Sequence, residues 1–138
     1  MNELNKDIIL KGLPSKRLNL HIYDEIDSTN DEAKRIEGIK EFHIFIAEKQ
    51  TKGRGRHGKK WSSPNTGNIY MTISTNQNTS QISPVSLISG LVCKKAIDKL
   101  IKSSSIMLKW PNDILLNDKK IGGILVETEQ TRKISKPL

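Results

Sequence analysis

The sequence has one cysteine, few aromatic residues, and no acidic residue between Glu48 and Asp98. Each shortage excludes something. Cys93, set among Leu91, Val92 and Ala96, rules out an internal disulfide and a cysteine-based zinc site and reads as a small apolar side chain filling the core. Aromatics at 4 % of the chain, none of them interleaved with the arginines ahead of Trp61, leave no evident base-stacking surface. No apolar run approaches the ~20 residues of a membrane-spanning helix. The opening MNELNKDIIL carries Glu3, Lys6 and Asp7 where a secretory signal needs an unbroken apolar stretch, so a cytoplasmic protein with no membrane attachment is expected.

The missing acid concentrates charge of one sign. The acid-free stretch holds Lys49, Lys52, Arg54, Arg56, Lys59, Lys60, Lys94 and Lys95, and the other 15 basic residues are matched by the 15 acidic ones. The whole formal excess of +8 therefore belongs to this segment, most of it in or beside Lys52–Trp61, KGRGRHGKKW. An anionic partner is indicated: nucleic acid, nucleotide phosphate or carboxylate. A merely solvated basic loop is the plain alternative.

A chain of 138 residues fits one domain, here 1–138. LNLHIY alternates apolar and polar residues as a half-buried strand does. In the stretch that follows, Thr29 and Glu32 have the spacing of a capping box, Ala33 and Ile36 supply a short apolar face, and Gly38 can close the helix. FHIFIAE reads as a buried strand and GNIYMTIS, from Gly67 to Ser74, as a third. After the connector TNQNTSQ, a long helix is expected with Ser83 as N-cap, Pro84 at its first position and an apolar face at 85, 88, 92, 96 and 100. IMLKW, ILLN and KIGGILVETE are expected strands, the last two joined as a hairpin by Asn117-Asp118. This order predicts an α+β fold with a mixed, largely antiparallel sheet and flanking helices, and excludes a doubly wound parallel one.

Two phosphate-binding patterns fit the basic loop by spacing and fail by context. Gly53-x-Gly55-x-x-Gly58 follows a strand but opens no helix, and no acidic residue follows within ~20 positions to take ribose hydroxyls. Gly53-x-x-x-x-Gly58-Lys59 has Lys60 where a P-loop needs Ser or Thr. Their shared chemistry survives: glycines let backbone approach an anion, and Arg54 and Arg56, separated by Gly55, can share one ligand through bidentate bonds. Such a loop would be mobile when empty and order when an anion neutralises it. Elsewhere, Lys109 at a strand end would be partly desolvated between Leu108 and Trp110 and could neutralise an anion or simply snorkel. Gly122-Gly123 in an apolar strand suggests close approach of a ligand or backbone. Ser28, Thr29, Asn30 and Gln50 offer compact donors and acceptors for a neutral polar group, or serve as cap and strand end.

DSTNDEAK, AEKQTKGRGRHGKKW, KWPND and KIGGILVE, in this order and at these separations, resemble the catalytic domain of biotin protein ligases from about Leu18 to Glu129. Lipoate ligases share that fold but lack the arginine-glycine loop. The resemblance implies an α+β catalytic domain distantly similar to class II aminoacyl-tRNA synthetases. It implies joining of biotin's carboxylate to ATP, giving biotinoyl-AMP and pyrophosphate, then transfer to a lysine of the biotin carboxyl carrier protein of a carboxylase. Ser28, Thr29, Asn30 and Gln50 would line the biotin site. Arg54, Gly55 and Arg56 would hold the carboxylate and phosphate, Lys109 would contact both, and Gly123 would allow close approach of its strand. Arg56, Lys109 and Arg54 are the expected catalytic residues. Magnesium would accompany ATP, with no protein ligand assigned beyond a weak case for Asn112 and Asp113.

The same resemblance implies departures. His57 stands where the family usually has arginine. The stretch before the first strand is too short for a winged-helix domain, so no DNA partner is expected. The glycine-rich strand, helices and C-terminal β-domain expected after ILVETE have no counterpart in TRKISKPL. The alternatives are an inactive biotin-binding fragment and a small basic nucleic-acid-binding module.

Overall fold

LNLHIY forms β1 (Leu18–Tyr23), FHIFIA forms β2 (Phe42–Ala47), and YMTIS forms β3 (Tyr70–Ser74), three residues shorter at its start than the pattern suggests. The computed structural model describes residues 4–36, 42–75, 84–102 and 105–129. It divides into two compact units, Met1–Gln77 and Asn78–Leu138.

In the first unit β2 is central, parallel to β1 and antiparallel to β3. This matches its composition, since Phe45, Ile46 and Ala47 are buried although Ile46 points to the face opposite Phe45 and Ala47, so the end of the strand is covered on both faces. Side chains alternate, so register puts His21, Phe45 and Thr72 on one face, with Tyr23, Ala47 and Tyr70 beside them. The helix α2 (Thr29–Arg35) covers this face with Ala33 buried, and Tyr23 Oη donates to Glu32 Oε1 at 3.2 Å. A short helix α1 (Lys6–Leu10), capped by Asn5, contacts β1 and was not expected from the pattern.

The expected cap of α2 is displaced by one residue. Ser28, not Thr29, is the N-cap, its Oγ accepting from Asp31 N at 3.4 Å. The reason is long-range: both the N–H and the hydroxyl of Thr29 are taken by Gln50. The expected stop at Gly38 lies outside the described residues.

On the helix-covered face, His21 Nε2 and His43 Nδ1 are 3.1 Å apart and the His21 ring stacks on Phe45 at 4.7 Å. Burial, then His43, then Lys6 push the His21 pKa down, against an upward pull from Glu32. A histidine whose folded pKa lies below its unfolded value of 6.5 stabilises the fold above that value and withdraws the contribution as pH falls. Urea titrations between pH 8 and pH 5 should therefore show an acid loss of stability that His21→Gln reduces. An identical pH profile in the variant would contradict this role.

In the second unit, α3 (Val85–Ile101) packs on an antiparallel sheet of β4 (Ile106–Lys109), β5 (Asp113–Leu116) and β6 (Lys119–Gly123). Ile106 and Ile114 are its buried centre. Asn117 and Asp118, both with positive φ, make the two-residue turn joining β5 to β6, as expected from their tolerance of that region. The strand expected to run on to Glu129 ends at Gly123.

The apolar stripe expected to face the sheet from α3 is exposed. Val85, Ile88, Val92 and Leu100 are exposed, as is Ala96, whereas Gly90 is buried, its missing Cβ leaving room for the two Leu108 methyls. Helical period says which side chains share a face, and here the small-residue face meets the sheet. Cys93 is only half-buried. Pro84 is the N-cap position, one before the first helical residue, and Ser83 and the connector at 75–81 fall on or beyond the edge of the described residues.

Candidate functional site

The arginine-glycine loop is laced to its own unit. Backbone bridges pair Ile26 with Gln50, Gln50 with Ser63 and Arg54 with Lys60. Thr51 N donates to Ile26 O at 2.9 Å and Lys52 N to Asp27 O at 2.8 Å, so the entering strand runs along the residues that lead into α2. Trp61 N donates to Gly53 O at 2.9 Å and Gly55 N to Lys59 O at 2.7 Å, which closes the loop as a narrow hairpin. His57 and Gly58 turn the tip with positive φ. The expectation of a loop ordered only by an anion thus meets a folded conformer held by backbone bonds, and the Gly55 N–H expected to approach an anion is already spent on Lys59.

The two arginines stand differently. Arg54 is partly buried and its Nη1 donates to Asp31 Oδ2 at 2.5 Å, tying the loop to the first turn of α2. Arg56 is exposed and pairs with no described residue. They do not share one partner. Asp27, just before the cap, accepts from Ser28 N at 2.7 Å, and its bonds to Arg35 and to Ser28 hold its carboxyl far below the usual range, at about 2.

Behind the hairpin lies a neutral polar cluster. Thr29 N and Oγ1 lie 2.9 and 3.1 Å from Gln50 Oε1, and Gln50 Nε2 lies 3.0 Å from Ser63 Oγ. Thr72 Oγ1 is 2.8 Å from Thr29 Oγ1 and also meets Asn30 Oδ1. Ser28, Thr29 and Ser63 are buried. The structure therefore gathers Ser28, Thr29, Asn30, Gln50, Arg54, Gly55 and Arg56 in the first unit. Asp31, Ser63 and Thr72 were missed by sequence reasoning. Thr72 has the only visible signal, a polar residue at an inward position of an apolar strand.

Lys109 and Gly123 belong to the second unit. Lys109 is exposed and Trp110 is 82 % exposed, so the expected desolvation between Leu108 and Trp110 is absent in this structure. The tip itself is fixed: Asn112 Nδ2 donates to Ile124 O at 3.0 Å and Ser86 Oγ to Pro111 O at 3.3 Å. Asp113 pairs with Lys120. Asn112 and Asp113, weakly considered for a metal, are thus engaged structurally, and among the described residues no three His, Cys, Asp or Glu side chains form a metal-binding group. A Cβ on Gly122 would make only ordinary contact with Ile114.

Residues 23–136 match the model of the biotin/lipoate A/B protein ligase family. The chain belongs to that family. It is 41 % identical over 105 residues to the bifunctional ligase/repressor BirA of Escherichia coli, covering 74 % of this chain and 32 % of that protein. It is 35 % identical over 100 residues to the biotin–[acetyl-CoA-carboxylase] ligase of Mycobacterium tuberculosis, covering 69 % and 36 %. The crystal structure of the Leishmania major biotin protein ligase in complex with biotinyl-5-AMP superposes with a TM-score of 0.69 at 35 % identity, covering 80 % of this chain and 52 % of that one. The chain thus spans about a third of these curated relatives and half of the solved ligase. The family likeness bears out the α+β fold expected from element order. Among the described residues no helix is long and apolar enough to cross a membrane.

Proposed function

We propose that this chain binds biotin and ATP, joins them as biotinoyl-5'-AMP, and passes the biotin to a lysine of a biotin carboxyl carrier protein in the cytoplasm. One observation carries the reading: a cationic hairpin is clamped by Arg54–Asp31 onto the helix start that bears a buried, neutral polar cluster. That pairing suits a ligand with an uncharged polar ring at one end and an anionic carboxylate at the other. Ser28, Thr29, Asn30 and Gln50 take the ring. Arg54 and Arg56 take the carboxylate and the phosphate of the adenylate, with Gly55 between them leaving room for the ligand to approach the backbone. The roles of Lys109 and Gly123 rest on resemblance to the family alone.

The chemistry asks for little covalent help. A carboxylate oxygen attacks the α-phosphate, a new C–O–P linkage forms, the bond to the β-phosphate breaks, and pyrophosphate leaves with the electron pair. Charge builds on the α-phosphate, where guanidinium and ammonium groups brought to it stabilise the transition state more than the ground state. Magnesium entering with ATP would neutralise the triphosphate. The hairpin keeps water from the mixed anhydride, which otherwise hydrolyses.

Calorimetry with biotin, then with biotin, ATP and magnesium, tests the reading. Pyrophosphate release supports the ligase. Biotin binding without it leaves an inactive biotin-binding fragment, and salt-sensitive oligonucleotide affinity without biotin affinity replaces the reading by a nucleic-acid module. Arg54→Gly removes the Asp31 tie and is expected to raise the release of free biotinoyl-AMP, measured by trapping the adenylate in the filtrate. An unchanged release rate would remove Arg54 from this role.

A further inference from the structure

We propose that Ser63 is a positioning residue that holds the nitrogen end of the Gln50 amide, and that Gly53 is glycine so that Ser63 can reach it. The proposal rests on the reading that Gln50 faces the biotin ring.

The polarity of this cluster follows from one backbone group. The N–H of Thr29 can only donate, and it lies 2.9 Å from the Gln50 side-chain amide, so the atom facing it is the carbonyl oxygen. The Thr29 hydroxyl, 3.1 Å from the same oxygen, donates to it as well. The amide nitrogen must then point the other way, where Ser63 Oγ stands at 3.0 Å. An amide nitrogen only donates, so Ser63 Oγ accepts, and its single proton goes to Trp61 O at 3.2 Å. Gln50 is thus gripped at both ends: its oxygen is doubly occupied, and one N–H remains for a ligand acceptor.

Gly53 closes the clamp from outside. A Cβ there would stand 2.5 Å from Ser63 Oγ, 2.7 Å from Trp61 O and 3.1 Å from Gln50 Nε2. All three nearest atoms are members of the same network. The first glycine of the basic loop is therefore explained by the neutral cluster behind it and needs no contact with a phosphate.

The test combines nitrogen-15 NMR of the Gln50 side-chain amide with biotin calorimetry on the wild type, Ser63→Ala and Ser63→Thr. In the wild type one Gln50 amide proton should be protected from exchange. Ser63→Ala should lose that protection and bind biotin about tenfold more weakly, the equivalent of one net hydrogen bond. Ser63→Thr, which keeps the hydroxyl, should retain both. Wild-type protection and affinity in Ser63→Ala would overturn the proposal, as would equal losses in both variants, which would mark a packing effect. If Ser63→Ala does not fold, lost protection in Ser63→Thr overturns it alone. If the wild type binds no biotin, the functional reading fails, and the amide signature still decides the clamp.

Discussion

Arg56→Ala is expected to lower biotin-dependent pyrophosphate release by ~10²-fold or more, the effect of losing one positive charge at a developing anion, while leaving the thermal midpoint in place. The separation of effects comes from the structure. The Arg56 side chain is exposed and bonds to no described residue, so its removal leaves no buried group without a partner. Its charge pairs with no group among the described residues. Arg54, by contrast, already anchors the loop to Asp31, and its loss would alter loop position together with charge. Parallel measurement of pyrophosphate release and thermal unfolding checks the claim. A drop in rate matched by a drop in thermal midpoint would show Arg56 to be structural, and an undiminished rate would remove it from the catalytic set.

Gly53→Ala is expected to destabilise the first unit by ~1–3 kcal/mol, the usual cost of forcing added volume into a closed contact. For a unit of this size that lowers the thermal midpoint by roughly 4 °C or more. The added carbon would stand within 2.7 Å of a backbone oxygen that is itself held by the hairpin. Gly55→Ala supplies the control, because its nearest neighbours are Lys59 O at 3.7 Å and Trp61 Cε3 at 3.9 Å, ordinary contact distances. Its stability should change by less than about 0.5 kcal/mol. Comparing the two by differential scanning calorimetry separates a glycine needed for packing from one with room to spare. Equal stability of Gly53→Ala and wild type would refute the clamp geometry.

How much of this was legible beforehand depended on range. β2 announced itself by a continuous apolar run, and Asn117-Asp118 announced a two-residue hairpin, because both are decided within a few residues. The residues of the neutral polar cluster and the two arginines of the loop were legible as a set of motifs in order. The α2 cap was placed one residue late because Ser28 and Thr29 are locally equivalent as caps. Only Gln50, 21 positions away, distinguishes them by taking the N–H and hydroxyl of Thr29. The face of α3 failed for a related reason. A stripe at 85, 88, 92, 96 and 100 is real, but Gly90 lets the helix approach β4 more closely on its other side.

By itself the sequence determined that all excess charge lies in one acid-free segment, where the chain turns on glycines, and to which family it belongs. These are matters of composition and short-range spacing. The tertiary structure decided that Arg54 is tied to Asp31 while Arg56 is not, that Lys109 is exposed, and that Gly53 serves Ser63 and Gln50. The ties of Arg54 to Asp31 and of Gln50 to Ser63, and the close approach of Gly53 to Ser63, depend on what meets what across 10 to 23 residues of chain. Hydrogen-bond polarity propagates only through contacts, and no local pattern carries it.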